Sequence, residues 1–331
     1  MAARHTIKTV SLAMLALISL LIGCKGSSGV TTEARQLRID PVASAPETEE
    51  QDKLAPKKTG TLQVPGASLY YEVLGSGPTL LIIAGGSGDA DSSDKIVHEL
   101  TANYTVVTYD RRGYARSKID NSADALRMEM ESDDAHHLLA ALGTRPASVL
   151  GSSIGAVIAL DLAVRYPDQV GTVIAHEPPA IYLTSSQSEG QRSQGGSIQD
   201  IKDRFQREGA DAAMKEFAGM VGVNDLPTGS TQTGEQRTAN VKFFLDKEVP
   251  MLARYRFDFD ALKGAMTRTR LVIGVGSASP KDSVGYLGAE AVTDRLGIGM
   301  MEFPGDHAGM ERYPKEFAEK LRGLLGNRID K

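Results

Sequence analysis

Residues 147–164 run ASVLGSSIGAVIALDLAV, a strand, a tight turn and a helix in close succession. Ala147 to Leu150 is a short apolar run, as in a buried strand. From Ala156 to Val164 the residues are almost continuously apolar and read as a buried helix. Between them lies Gly151-Ser152-Ser153-Ile154-Gly155, a G-x-S-x-G pattern. A serine on so sharp a strand-to-helix turn is lifted clear of the sheet, and small neighbours let the two backbones pass closely. Ser153 is the serine in frame. Centring the pattern on Ser152 would put Leu150 and Ile154 where glycines are needed.

Working outward, strand and helix signals alternate. Thr61–Val64 and Ser68–Val73 form a hairpin about Pro65-Gly66. Strands follow at Thr79–Ala84, Tyr104–Tyr109, Ala147–Leu150, Val170–Ala175, Arg270–Val275 and Gly299–Phe303. Helices are expected at Ser93–Ala102, Ala123–Leu142, after Ser153, near Gly288–Leu296 and at Pro314–Leu325. Such alternation implies an α/β fold, a mainly parallel central sheet flanked by helices on both faces. Residues 181–265 break the rhythm. They hold no convincing strand, and Ile198–Gly219 and Gln236–Tyr255 read as helices. A segment of that length is no plain loop. It is expected to be a helical cap, with residues 59–180 and 266–331 forming the core.

The N-terminal part has a different character. Arg4 and Lys8 precede an apolar run from Val10 to Ile22, which is short for a bilayer span and suits a secretory signal peptide over residues 1–23. It ends in Leu21-Ile22-Gly23-Cys24, which resembles a bacterial lipobox, and Cys24 is the single cysteine of the chain. Lipid attachment at Cys24 would make this an extracytoplasmic, membrane-anchored lipoprotein. Residues 24–58 are polar and rich in small residues, the composition of a disordered tether. A lone cysteine excludes an internal disulfide, and no Cys/His cluster has zinc-ligand spacing. The net charge of −5 offers no basic surface for nucleic acid. No metal and no cofactor are implied.

A serine hydroxyl needs a base to become a nucleophile. Of six histidines, His5 lies in the signal, and His98, His136 and His137 lie within helices. His176 ends a strand near the serine turn. His307 lies between the last strand and the last helix, where a base following the serine in chain order is expected.

From about Gly60 to Leu325 the chain resembles the α/β-hydrolase superfamily, and within it a bacterial branch of capped serine hydrolases. The resemblance rests on Ala84-Gly85-Gly86-Ser87-Gly88, Tyr109 to Ser117 (YDRRGYARS), the elbow at Ser153, His176-Glu177-Pro178-Pro179, and Pro304-Gly305-Asp306-His307-Ala308-Gly309, in the superfamily's order. It implies Ser153 as nucleophile, His307 as base, and an oxyanion hole from the backbone N–H groups of Gly86 and Ile154. Ala84 stands where the superfamily often has histidine. Asp110 to Ser117 is read as a structural brace. For the acid, the superfamily commonly uses an aspartate after the strand preceding the last one. Here Gly276-Ser277-Ala278-Ser279-Pro280 follows that strand, with Asp282 just beyond. Glu177 is the preferred acid and Asp282 its rival; Asp306 should point away. The expected reaction is hydrolysis of a small-molecule ester or lactone through an acyl-enzyme. A perhydrolase, a C–C hydrolase, an amidase and a degenerate cell-surface binding protein are the alternatives.

Overall fold

Alternate residues of the central strands serve opposite faces of one sheet. In the computed structural model, which describes residues 56–121, 124–143, 146–184, 197–224 and 233–326, Leu81, Ile83, Val149, Val173 and Ile273 are buried with one helical layer. Leu80, Ile82, Leu150, Ile174 and Val272 are buried with the other. The two-residue side-chain period of a strand produces this division. Burial on both faces explains why Thr79–Ile83 is a continuous apolar run.

The strands are β1 (Lys58–Val64), β2 (Ala67–Leu74), β3 (Thr79–Ile83), β4 (Thr105–Tyr109), β5 (Lys118–Ile119), β6 (Ala147–Ser152), β7 (Val170–His176), β8 (Arg270–Gly276) and β9 (Met300–Phe303). Their order is β1-β2-β4-β3-β6-β7-β8-β9, with β5 paired to β2. The pairings of β2 are antiparallel and the remainder are parallel. The helices of the core are α1 (Asp94–Leu100), α2 (Met128–Leu142) and α3 (Ile154–Arg165). Between β7 and β8 come α4 (Ile181–Thr184), α5 (Ile198–Glu208), α6 (Ala210–Met220), α7 (Gly234–Phe243), α8 (Val249–Arg254) and α9 (Phe259–Ala265). The chain then adds α10 (Val284–Leu296), α11 (Gly309–Arg312) and α12 (Pro314–Gly326). Helices α2, α3, α9 and α10 share one buried cluster; α1 and α12 share the other. Fully buried side chains such as Leu160 and Leu321 each contribute about 1.5–3 kcal/mol.

The expected α/β architecture is present, with several differences in detail. The helix expected over Ile198–Gly219 is two helices, because Gly209 adopts φ +89°, a conformation that ends α5. Ser197 caps α5 with a reciprocal pair of bonds to Asp200. The helix expected over Gln236–Tyr255 contains a wider, π-helical turn at Phe244–Glu248. Pro250 stands at the start of α8 and has no N–H to give the carbonyl four residues back, which accounts for the wider turn before it. Helix α2 begins at Met128 rather than near Ala123, since Arg127 is extended, and upstream of it Asn121 and Asp124 bond each other. The short elements β5, α4 and α9 carried no sequence signal. No helix among the described residues is long and apolar enough to cross a membrane. The expected signal peptide, Cys24 and the tether through residue 55 lie outside the described residues.

Backbone approach at the serine turn is testable. A Cβ on Gly155 would overlap the Ile83 carbonyl oxygen. Gly155→Ala is expected to lower stability by about 1–3 kcal/mol, as overpacking does. Gly323 in α12 faces open space, and Gly323→Ala is expected to raise stability by about 0.5–1 kcal/mol. Urea unfolding of the two variants checks both signs.

Candidate active site

Strands β6 and β7 run parallel, with Ser152 the register partner of His176. The next residue on each strand, Ser153 and Glu177, leaves the sheet with φ +54° and +51°. Ala115 is the other non-glycine residue with positive φ among the described residues. A β-carbon resists this conformation, so two adjacent cases at one sheet edge mark stored strain. The Ser153 N–H donates to the His176 carbonyl at 2.9 Å, and the Glu177 N–H to the Gly274 carbonyl at 2.9 Å. These bonds hold each turn against its neighbouring strand. Gly151 and Gly155 are required at the serine turn because a Cβ on either would overlap backbone.

His307 lies in the turn between β9 and α11. Its Nδ1 is 2.6 Å from Glu177 Oε2. The second carboxylate oxygen, Oε1, accepts from the Gly276 N–H at 2.9 Å and from the Ser279 hydroxyl. Glu177 is fully buried and His307 is 8% exposed. Burial alone would raise the Glu177 carboxyl. The bond to His307, the histidine's charge and the Ser279 hydroxyl outweigh it and carry the group down to about 2. Burial would lower His307, but the bond to Glu177 and its charge, aided by Glu311 and Asp306, raise it above 6.5. With Nδ1 committed to Glu177, Nε2 is the nitrogen left for proton exchange. Gly285 comes so close that a Cβ there would lie 2.6 Å from Glu177 Oε2 and 3.0 Å from His307 Nδ1.

The structure thus joins Glu177 to His307 and puts Ser153 on the strand end beside Glu177. Asp282 is exposed in the turn before α10. Asp306 faces elsewhere, accepting from the Ala308 N–H at 3.0 Å and from Arg312 at 2.9 Å. His176 packs edge-on against Phe303 and Phe317, with centroids at 5.7 and 5.3 Å and no bonded ring nitrogen. Burial pushes it down to about 4, so it is a neutral core residue.

Ile154 is the first residue of α3, and its N–H belongs to the helix-start group without intrahelical partners. The loop Gly85–Gly88 lies beside it. A Cβ on Gly85 would be 3.3 Å from Ser153 Cβ. Gly86 sits under the Phe244 ring, which a Cβ there would meet at 3.0 Å. A glycine loop, a strained serine turn and a buried carboxylate–imidazole pair thus gather at neighbouring strand ends.

Two contributors went unread in the sequence. Ser279 follows the strand after which the superfamily commonly has an aspartate, and its hydroxyl donates to Glu177. Arg111 lies in the segment read as a brace. Asp110 does brace, accepting from the Ala90 N–H and from Arg116, but Arg111 reaches the glycine loop.

Known proteins share the fold. The alpha/beta hydrolase fold family matches residues 78–213. The uncharacterised hydrolase YraK of Bacillus subtilis is 39% identical over 267 residues, covering 80% of this chain and 95% of that protein. The chain belongs to the alpha/beta hydrolase family and is a hydrolase of that fold. A solved membrane phospholipase A, described as a bacterial virulence factor, superposes with TM-score 0.64 at 20% identity, covering 83% of this chain and 87% of its own. A carboxylesterase structure from the Thaumarchaeon Nitrososphaera superposes with TM-score 0.59 at 18% identity, covering 81% and 98%.

His307 is expected to titrate above 6.5 in the resting protein. Glu177→Gln removes the largest opponent of burial, leaving only the weaker pull of Glu311 and Asp306, so the value should fall below that of the wild type. Asp282→Asn should leave it unchanged. Histidine ring resonances followed by NMR against pH check all three.

Proposed function

We propose that this protein is a serine hydrolase that cleaves small carboxylic esters or lactones through an acyl-enzyme. The observation that carries the reading is the buried Glu177–His307 bond at the sheet edge where Ser153 leaves its strained turn. Ser153 Oγ attacks the carbonyl carbon while His307 Nε2 takes the hydroxyl proton. The carbonyl oxygen becomes an oxyanion, which the N–H groups of Gly86 and Ile154 receive. Collapse expels the alkoxide, which takes the proton back from His307. Water, deprotonated by the same nitrogen, then releases the carboxylic acid and restores Ser153. Glu177 stabilises the imidazolium in both halves. Ser279 supports the reading too, because the residue near the usual acid position holds Glu177 instead of marking a lost triad. The fold shared with a phospholipase A and a carboxylesterase is compatible with ester substrates.

The middle of the insertion, α5 to α7 with the π-helical turn, acts as a cap over the strand ends, while α9 joins the layer of α3 and α10. Phe244 lies over Gly86, and Val221 and Val223 pack against Ala308, next to His307. Apolar walls of this kind suit a small apolar acyl or alcohol group. A lipid on Cys24 anchors the domain outside the cytoplasm. In detergent phase partition, Cys24→Ala is expected to move the protein from the detergent phase to the aqueous phase.

A fluorophosphonate should add once to the purified chain, on Ser153, as read by intact mass. Ser153→Ala should abolish the adduct. His307→Ala and Glu177→Gln should each slow p-nitrophenyl butyrate hydrolysis by about 10²–10⁴-fold. Since His307 must be neutral to accept a proton, and its value is raised, activity should climb with pH along a limb centred above 6.5. A folded wild type that takes no adduct and hydrolyses no ester would reject the reading.

A further inference from the structure

We infer that Arg111 and Glu248 are positioning residues, through which the helical insertion holds the Gly85–Gly88 loop where an oxyanion can be received. The inference rests on the serine hydrolase reading. Arg111 grips the loop at both ends. Its Nη2 donates to the Gly85 carbonyl at 2.7 Å and its backbone N–H to the Gly88 carbonyl at 2.7 Å. The loop closes on itself by a 3.0 Å bond from the Gly88 N–H to the same Gly85 carbonyl. The peptide that begins at that carbonyl carries the Gly86 N–H, so fixing the carbonyl aims the donor.

The guanidinium is itself held from the insertion. Glu248 accepts from Arg111 Nη1 through Oε1 and from Nη2 through Oε2, the latter at 3.1 Å. Tyr114 donates its hydroxyl to Glu248 Oε2 at 2.6 Å, and the Arg111 guanidinium stacks over the Tyr114 ring at 4.9 Å. Arg111 and Glu248 are both fully buried. Glu131 also approaches Arg111, at 3.7 Å. Burial pushes its carboxyl up to about 8, against the pull of the Arg111 charge. Glu248 ends the π-helical turn, and Phe244, packed on Gly86, begins it. One turn of the insertion therefore touches the glycine loop by a charged route and an apolar route. Single π turns often occur at functional sites.

The test separates aim from affinity on the full chain, using a fluorophosphonate whose phosphoryl oxygen must occupy the oxyanion position. Glu248→Gln and Arg111→Lys are each expected to lower kinact by about 10–100-fold, within what one oxyanion donor supplies, with KI changed less than threefold. The double variant should lose no more than the worse single one, because both act through one link. Unchanged kinact in folded variants, a change confined to KI, or losses that multiply would each overturn the inference. If both variants fail to fold, Tyr114→Phe, which removes one bond from the same carboxylate, must still lower kinact without raising KI; otherwise the inference fails. A wild type that takes no adduct rejects the serine hydrolase reading itself, whereas a reactive wild type with equally reactive variants rejects only the positioning role.

Discussion

Parallel pairing of Ser152 with His176 is the constraint from which the site follows. In a parallel sheet the strands end on the same side, so whatever leaves β6 and β7 at their last paired residues emerges side by side. Both exits take positive φ at residues with side chains. The strain is held by backbone bonds to the neighbouring strands and by the close approach that Gly151 and Gly155 allow. Moving the register by one residue would turn the two side chains toward opposite faces of the sheet.

A buried carboxylate is costly unless its oxygens are engaged. Glu177 uses Oε2 for His307 and Oε1 for the Gly276 N–H and the Ser279 hydroxyl. Both donors to Oε1 come from the end of β8 and the turn after it, while the carboxylate comes from β7. At this sheet edge the end of β7 supplies the carboxylate and the end of β8 supplies its donors. This explains how a serine can stand near the place where an aspartate was sought while His307 keeps an acidic partner. Such a pair adds little net stability once desolvation is counted. Its consequence is directional, since it fixes the imidazole ring and leaves Nε2 free.

Most of the sheet was legible in the sequence because the relevant signals are local. Apolar runs such as Thr79–Ile83, the hairpin about Pro65-Gly66 and the glycine pattern around Ser153 each have a near-neighbour cause. The acid was not decidable locally. Glu177 and Asp282 both follow strand ends, and only three-dimensional placement leaves one on His307 and the other exposed. Within the insertion, the break at Gly209 was readable in principle, since glycine interrupts a polar amphipathic run there. Pro250 was a second signal, because a proline inside an expected helix calls for a local defect. By contrast, β5 is two residues long and held by pairing with β2, so no periodicity could announce it.

The insertion and the core differ in how they use charge. Along the surface of the insertion, pairs such as Arg204 with Glu208 are exposed and contribute little. Where it meets the core, Glu248 is fully buried against Arg111 and Tyr114. Leaving one member of such a pair without the other is far costlier than forming the pair is favourable. A buried ion pair at this junction therefore selects one seating of the insertion over displaced ones, in which a buried charge would lose its partner. Apolar contacts such as Phe244 on Gly86 can slide with modest loss, because dispersion is non-directional. The bidentate fork on Arg111 cannot slide in that way. Between them, the two kinds of contact define where the insertion sits and, through the Gly85 carbonyl, how the loop beside Ser153 is shaped.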